Sequence, residues 1–273
     1  MTAAVLQGAA HVERVARERP TVGEQGCAGR ITAIASGKGG VGKTWFAITL
    51  AQSLARAGRR VLLFDGDLGL ANVDVQLGLN PQHDLGAVLA GRLSIEQTVL
   101  HHGAAGLDIL PGRSGSGALA ALDGGSIDAV LDVLRRAASR WEEVVLDLGA
   151  GLDAWQRRMA AAADTLLVVA TDEPTSLTDA YAVLKLGMLD KPKGDTRIVV
   201  NQAQDAAAGT RTYETLRRAC QTFLKHDVPL MGVVRCDDRV RDAIRRQIPL
   251  LTRHPNSPAA MDVDAMARAY LEQ

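Results

Sequence analysis

One segment constrains the fold more than any other: an apolar run that leads through a glycine-rich loop into a helical pattern. The run is Ile31–Ser36, and the loop reads Gly37-Lys38-Gly39-Gly40-Val41-Gly42-Lys43-Thr44. Apolar residues then recur at helical spacing as far as Ala55, and Gly58 supplies a stop signal. A strand, a tight loop and a helix in this order are typical of a sheet whose parallel strands are joined by crossover helices.

Further short apolar runs follow along the chain and alternate with helical patterns. They are Val61–Asp65, Leu107–Leu110, Val144–Asp147, Leu166–Ala170, Ile198–Asn201 and Leu230–Val234. Several are continuous rather than alternating, as expected of parallel strands covered on both faces. Ser176 and Asp179 have the spacing of a capping box, which predicts a helix that begins at Ser176. The pattern predicts an α/β fold with a doubly wound, mostly parallel sheet and helices on both faces.

Composition and charge exclude several classes of protein. The 273 residues include 31 Lys plus Arg and 31 Asp plus Glu, so the formal net charge is zero. This balance argues against a generally cationic nucleic-acid coat, and 47% hydrophobic residues exclude dominant disorder.

Cys27, Cys220 and Cys236 lack metal-site spacing and predict ordinary thiols. His101-His102 predicts a solvated polar loop rather than a metal site.

The domain organisation is predicted to be simple. Residues 1–30 are mixed in charge and broken by Pro20, Gly23 and Gly26, which predicts a flexible arm with a short helix around residues 12–16. Residues 31–273 are predicted to form a single domain. Because the chain has neither 18 consecutive apolar residues nor the apolar core of a signal peptide, we expect a cytoplasmic protein.

The glycine-rich loop has the residue types of a nucleotide phosphate site. Its pattern is G-x-x-x-x-G-K-T in the strand–loop–helix context that the chemistry requires. Glycines let backbone N–H groups turn inward around phosphate oxygens, and the following helix adds its positive end. Lys43 supplies a charge to the β- and γ-phosphates, and the Thr44 hydroxyl is a ligand for Mg²⁺.

Carboxylates follow two of the predicted strands. Asp65 and Asp67 end the second run, and Asp147 ends the run that begins at Val144. In an open α/β sheet the ligand lies outside the carboxyl ends of the strands, and grouped carboxylates there need a cation. Mg²⁺ with a nucleotide provides one, so the sequence predicts Asp147 as a metal-binding residue, usually through water.

The segment from Ser36 to Thr44 resembles the deviant Walker A loop of MinD/ParA-type ATPases. The resemblance implies ATP and Mg²⁺ as cofactors, and it implies that Lys38 reaches across a nucleotide-sandwich homodimer to the phosphates of the partner. Without the resemblance, Lys38 would be interpreted as a solvated charge in a loop. The resemblance also implies that Asp67 orients the attacking water, that Asp65 supports the metal shell, and that Asn201 bonds the adenine edge.

Later stretches resemble the flagellar-number regulators of the FlhG (FleN) branch. They are Asp147–Gly151, Thr171–Tyr181, Val240–Pro249 and Pro255–Ala260. This likeness implies an ATP-hydrolysing, dimerising switch whose partners are the GTPase FlhF, flagellar switch or C-ring proteins, and a flagellar transcription regulator. Two alternatives remain open: a ParA-like chromosome or plasmid partitioning ATPase, and an amidotransferase-like biosynthetic ATPase.

Two surface features bear on membrane and DNA contacts. The tail, Met261–Gln273, has an apolar side, but its three acidic residues outnumber Arg268. Anionic lipid repels such a helix, so we expect it to pack against the protein, with peripheral contact at the inner face of the cell membrane left as the alternative. The arginines between Arg235 and Arg246 alternate with aspartates, so DNA is not an expected partner.

Overall fold

Nine strands form one sheet in the part of the chain that the computed structural model describes, residues 12–13, 29–67, 69–112 and 124–273. The strands are β1 (Val12–Glu13), β2 (Arg30–Ser36), β3 (Val61–Gly66), β4 (Leu100–His102), β5 (Leu107–Leu110), β6 (Glu143–Ala150), β7 (Thr165–Ala170), β8 (Asp195–Ala203) and β9 (Leu230–Arg235). Their order across the sheet is β1-β4-β5-β3-β6-β2-β7-β8-β9. All pairs from β5 to β9 are parallel, which confirms the predicted doubly wound, mostly parallel architecture.

Helices cover both faces of the sheet. They are α1 (Lys43–Arg56), α2 (Val73–Leu77), α3 (Leu85–Leu89), α4 (Ile95–Thr98), α5 (Gly124–Ala138), α6 (Ala154–Ala162), α7 (Pro174–Asp190), α8 (Ala206–Ala219), α9 (Asp238–Arg246), α10 (Leu250–Arg253) and α11 (Pro258–Leu271), with a π-helical turn at Cys220–Leu224. Helices α5 to α8 pack on one face, and α1, α10 and α11 pack on the other. Continuous apolar runs such as Val61–Phe64 are buried because both faces are covered.

The sheet register brings the predicted carboxylates together. Strands β3 and β6 are neighbours, and Asp65 pairs with Asp147 in their register. Asp147 also pairs with Ile34 of β2, the strand that leads into the glycine-rich loop. Because these strands are parallel, their carboxyl ends meet at one edge, where the loop and both aspartates lie side by side.

Local expectations are wrong at the His101-His102 segment and at the start of α7. His101 and His102 belong to β4, which is antiparallel to β5, and His102 is buried rather than solvated. Helix α7 begins at Pro174 with Glu173 as its N-cap, and the Ser176 hydroxyl accepts a hydrogen bond from the Thr171 N–H instead of forming a capping box. Proline favours the first helical position, since its missing N–H has no partner there anyway.

The predicted arm, residues 1–30, lies outside the described residues except at three places. Val12–Glu13 forms β1 and pairs antiparallel with β4, so the predicted short helix is wrong at these two positions. Gly29 precedes the sheet, and Arg30 already belongs to β2, where its guanidinium bonds Glu143 at 3.0 Å. The rest of the predicted arm, residues 1–11 and 14–28, is not among the described residues.

The C-terminal helix packs against the protein, as its charge balance predicts. In α11, Val263, Met266 and Tyr270 are buried. Its acidic residues face partners within the chain: Asp264 accepts a hydrogen bond from the Ser53 hydroxyl at 2.5 Å, and Asp262 pairs with Arg235 at 2.7 Å. None of the helices in the described part of the chain has the length and apolar character needed to span a membrane.

Candidate nucleotide-binding site

The glycine-rich loop between β2 and α1 has a backbone that only glycine adopts freely. Gly40 and Gly42 have φ angles of 81° and 88°, in the left-handed region. A Cβ at Gly42 would lie 2.5 Å from Asn201 Nδ2, and one at Gly37 would lie 2.5 Å from the Asp179 carbonyl oxygen. A Cβ at Gly39 or Gly40 would meet no atom within 4 Å. The loop is therefore tightly packed on its inner side and open on its outer side, as a phosphate cradle requires.

Lys43 is the first residue of α1 and is only 9% exposed. Burial lowers the pKa of its ammonium group, while the nearby carboxylates of Asp147 and Asp67 raise that pKa. A buried cation at the start of a helix, beside two carboxylates, places positive charge where an anionic ligand would lie against the loop.

Thr44 and Asp147 form the second part of the site. The Thr44 side chain lies near the Asp147 carboxylate and lowers its pKa, and Asp147 is 1% exposed. Its Oδ1 atom is buried without a hydrogen-bond partner in the described structure. Burial raises the pKa of Asp147 to about 7, against the lowering effects of Thr44 and Lys43. The unpaired oxygen of this buried carboxylate is suited to bind a cation.

Asp65 supports the loop that follows β3. Its Oδ2 accepts hydrogen bonds from the N–H groups of Asn72 and Val73, both at 3.2 Å, and its Oδ1 accepts one from the Asp67 N–H. Burial and then the charge of Asp147 raise the pKa of Asp65 to about 8, although the backbone hydrogen bonds from Val73 and Asp67 lower it. Asp65 therefore holds the chain that carries Asp67, and it adds a second buried carboxylate beside Asp147.

Asp67 is half-buried and faces the same edge of the sheet. Its Oδ1 accepts hydrogen bonds from the N–H groups of Leu70 at 3.1 Å and Gly69 at 3.4 Å. A Cβ at Gly149 would lie 3.2 Å from the Asp67 Cγ, so the chain after Asp147 passes directly beside this carboxylate. Asp67, Asp147 and Lys43 are thus brought into one charged cluster, as predicted for a site that acts on a phosphate.

The residues present fit a magnesium–nucleotide. Thr44 and Asp147 would hold Mg²⁺, since hydroxyl and carboxylate oxygens are the ligands that this ion prefers, and Asp65 lies close enough to support them. The orphaned Asp147 oxygen is the observation that carries this assignment. When bound, Mg²⁺ neutralises charge on the phosphate oxygens.

Lys38 lies apart from Lys43. Its ammonium group is hydrogen-bonded to the Glu173 carboxylate at the N-cap of α7 and to the Thr175 hydroxyl, the latter at 3.1 Å. The Lys38 side chain is 37% exposed. Sequence reasoning missed Glu173 and Thr175 as partners of this lysine. The signal that could have found them is their position directly after β7, at the edge of the sheet where the loop lies.

Asn201 lies at the phosphate loop itself. Its Nδ2 donates to the Val41 carbonyl oxygen at 2.8 Å, and its Oδ1 accepts from the Gln202 N–H at 2.9 Å. Asn201 is 3% exposed, and its contact with Val41 is buried, whereas its contact with the Gln202 N–H is partly buried. Its implied role toward the adenine edge stays a prediction.

Comparison with known proteins agrees with this geometry. Residues 32–250 match the family model described as the CobQ/CobB/MinD/ParA nucleotide binding domain. The antiactivator FleN of Pseudomonas aeruginosa is 35% identical over 239 residues, which cover 88% of this chain and 85% of FleN. The flagellum site-determining protein YlxH of Helicobacter pylori is 30% identical over 240 residues, which cover 87% of this chain and 80% of YlxH.

Two solved structures are similar to this chain over nearly nine-tenths of its length. The cell division ATPase MinD of Pyrococcus furiosus has a TM-score of 0.75 at 26% identity, covering 89% of this chain and 99% of MinD. The septum site-determining protein MinD of Pyrococcus horikoshii, complexed with Mg-ADP, has a TM-score of 0.74 at 26% identity, covering 88% of this chain and 95% of that one.

Proposed function

Since the chain belongs to the CobQ/CobB/MinD/ParA family of nucleotide-binding ATPases, we propose that it is a switch that dimerises with ATP and regulates flagellar number or placement. Hydrolysis of ATP to ADP and phosphate resets the switch. ATP and Mg²⁺ are its cofactors. Residues 31–273 act as one domain, because the family match spans 32–250 and α11 packs on the same core as α1.

The different surroundings of the two loop lysines carry this proposal. Lys43 is buried beside Asp147 and Asp67, where it serves the phosphates bound by its own chain. Lys38 is held outside this cluster by Glu173 and Thr175. An exposed ion pair of this kind contributes about 0–1 kcal/mol, so little free energy is needed to release Lys38. A released Lys38 is then free to reach the phosphates of a second copy.

The proposed catalytic roles combine what the family resemblance implies with the positions of the side chains. The loop glycines Gly37, Gly39, Gly40 and Gly42, with Val41 between them, present backbone N–H groups to the phosphates. Lys43 binds the β- and γ-phosphates, and Lys38 of one copy adds charge to those of the other. Asp67 orients the attacking water, while Thr44, Asp65 and Asp147 form the metal side of the site.

The flagellar part of the proposal rests on the likeness to FleN and to the flagellum site-determining protein YlxH. The proposed partners are the GTPase FlhF, flagellar switch or C-ring proteins, and a flagellar transcription regulator. The proposed location is the cytoplasm, with peripheral contact at the inner face of the cell membrane as the alternative. The arginines of α9 lie beside aspartates, as in the Arg241–Asp238 pair, which disfavours the partitioning alternative.

Dimerisation is tested by Lys38→Ala. We expect the variant monomer to bind Mg·ATP, because Lys43 and the glycines remain, but to dimerise and hydrolyse ATP poorly. Light scattering across an ATP titration measures the dimer directly. Glu173→Gln is the matched control: it releases Lys38 without removing it and should dimerise at least as well as the wild type. If Lys38→Ala forms a normal ATP-dependent dimer, Lys38 is a solvated loop charge that takes no part in dimerisation.

The cellular role is tested by counting flagella. Cells lacking the gene should show an altered number or placement of flagella, and a wild-type copy should restore the normal count, whereas a Lys43→Ala copy should not. ATP-dependent, salt-sensitive DNA binding by the purified protein, with normal flagella in the deletion strain, would instead favour the ParA-like partitioning ATPase.

A further inference from the structure

The side chain of Gln156, in the first turn of α6, lies beside Asp67. A Cβ at Gly149 would lie 3.2 Å from Asp67 Oδ1 and 3.3 Å from Gln156 Nε2, so both atoms lie against the same side of Gly149. The donor end of the Gln156 amide is therefore next to the carboxylate. Resting on the function proposed above, we infer that Gln156 is a positioning residue for hydrolysis: in the ATP-bound protein its N–H donates to Asp67 and holds that carboxylate toward the attacking water.

The Gln156 amide has an unused acceptor. Gln156 is half-buried, and its Oε1 is buried without a hydrogen-bond partner in the described part of the chain. Buried polar groups of folded proteins are hydrogen-bonded with few exceptions, so an unpaired one needs a specific reason. A glutamine that served only the fold would be expected to use this acceptor. The amide is instead available for contacts that form when ATP binds.

Helix α6 is fixed to the chain directly before Asp67. Trp155 Nε1 donates to the Gly66 carbonyl at 3.3 Å, and Trp155 is 7% exposed. Gly66 is the last residue of β3, and Asp67 follows it. Two consecutive residues of α6 therefore lie at two consecutive residues of the site, Trp155 at Gly66 and Gln156 at Asp67. The position of Gln156 is thus set by a packed helix.

An amide is chemically suited to this position. Asp67 Oδ1 already accepts hydrogen bonds from the N–H groups of Gly69 and Leu70, which belong to the same loop as Asp67 and would move with it. Gln156 would hold the carboxylate from a separate element. An amide N–H is a donor without a charge, so it orients the carboxylate and leaves it negative and able to accept a hydrogen bond from water.

Gln156→Met removes the donor and keeps the approximate length of the side chain. We expect hydrolysis at saturating Mg·ATP to slow by about 10-fold, the effect of losing one hydrogen bond to a charged group, while affinity for Mg·ATP stays at the wild-type value. Phosphate release and calorimetric titration measure the two quantities. Arg158→Met is the matched control on the same helix: Arg158 pairs with Asp128 at 2.6 Å, and its loss should leave hydrolysis unchanged.

Gln156→Glu tests the same contact by charge. Glutamate has the shape of glutamine, but it would place a second carboxylate beside Asp67, where like charges repel. We therefore expect hydrolysis to be slower in Gln156→Glu than in Gln156→Met. A side chain that only fills space would tolerate the isosteric glutamate better than methionine, so faster hydrolysis in Gln156→Glu would overturn the inference.

Dependence on Asp67 is tested by combining two changes. If Gln156 acts through Asp67, Gln156→Met should slow the wild-type protein but should not slow Asp67→Ala any further. The same fold loss in both backgrounds would show that Gln156 acts independently of Asp67 and would overturn the inference. Where hydrolysis by Asp67→Ala is too slow to measure, the comparison of Gln156→Met with Gln156→Glu decides.

Misfolding and failure of the proposed function give different results. Wild-type affinity for Mg·ATP in Gln156→Met shows that the slow variant is folded. If that variant does not fold, Gly149→Ala replaces it, because its methyl group would separate Asp67 from Gln156 and should also slow hydrolysis. Normal hydrolysis in Gln156→Met or its replacement, beside slow hydrolysis in Asp67→Ala, would overturn the inference alone. A wild-type protein that does not hydrolyse Mg·ATP would contradict the proposed function itself.

Discussion

Replacing Asp67 by alanine should slow ATP hydrolysis by about 10²–10⁴-fold while ATP binding survives. Asp67 lies beside Gly149 and close to Lys43, where its carboxylate is placed to orient the attacking water. Removing one carboxylate near the γ-phosphate also relieves like-charge repulsion. We therefore expect the variant to lose hydrolysis rate rather than affinity for ATP. The variant should accumulate as an ATP-bound dimer instead of cycling. Phosphate release, measured beside gel filtration in Mg·ATP, gives both quantities.

Asp67→Asn separates the charge from the structural role of this side chain. Asp67 Oδ1 accepts hydrogen bonds from the Leu70 and Gly69 N–H groups, and an asparagine oxygen can keep accepting them. If the carboxylate charge matters for hydrolysis, Asp67→Asn should be nearly as slow as Asp67→Ala. Normal hydrolysis in either variant, or a monomer in saturating Mg·ATP, would remove Asp67 from the proposed role.

The parallel strands and the charged cluster were predictable because they depend on local patterns. Continuous apolar runs mark strands buried on both faces, and the structure places their ends within three residues of the predicted bounds. Parallel strands have their carboxyl ends at one edge of the sheet. The sequence alone therefore places an aspartate at the end of an apolar run in the site. The pairing of Asp65 with Asp147 follows from β3 and β6 being neighbours.

Features that depend on tertiary contacts were not predictable. His101-His102 is polar, yet β4 completes a hairpin with β5, and the His101 ring bonds Asp108 at 2.8 Å. The ion pair between Lys38 and Glu173 joins residues 135 positions apart. The position of Glu173 directly after β7 places it at the edge of the sheet where the loop lies, but the sequence does not show that its carboxylate contacts Lys38.

The role of Asn201 illustrates the same limit. Its place at the end of a predicted strand marks it as a site residue, but not the direction of its amide. The direction of the amide depends on the turn at Gln202, and no local sequence pattern predicts the positive φ of that residue. Strand ends are thus readable from the sequence, whereas the orientation of the side chains there is fixed by the backbone they meet.

Lys43→Ala should abolish ATP binding, and with it ATP-dependent dimerisation. Lys43 is buried at the start of α1 between the glycine loop and the carboxylates of Asp147 and Asp67. In the variant, a triphosphate would lie near these carboxylates without the Lys43 ammonium group that compensates their negative charge. The triphosphate would also lose the charge-assisted hydrogen bond that Lys43 donates. Without Lys43, which lowers the pKa of Asp147, that pKa should rise further in the free protein. Calorimetric titration with Mg·ATP measures the loss, with Lys38→Ala as the matched control because it removes the other loop lysine. Affinity near the wild-type value in Lys43→Ala would mean that the loop does not bind the phosphates.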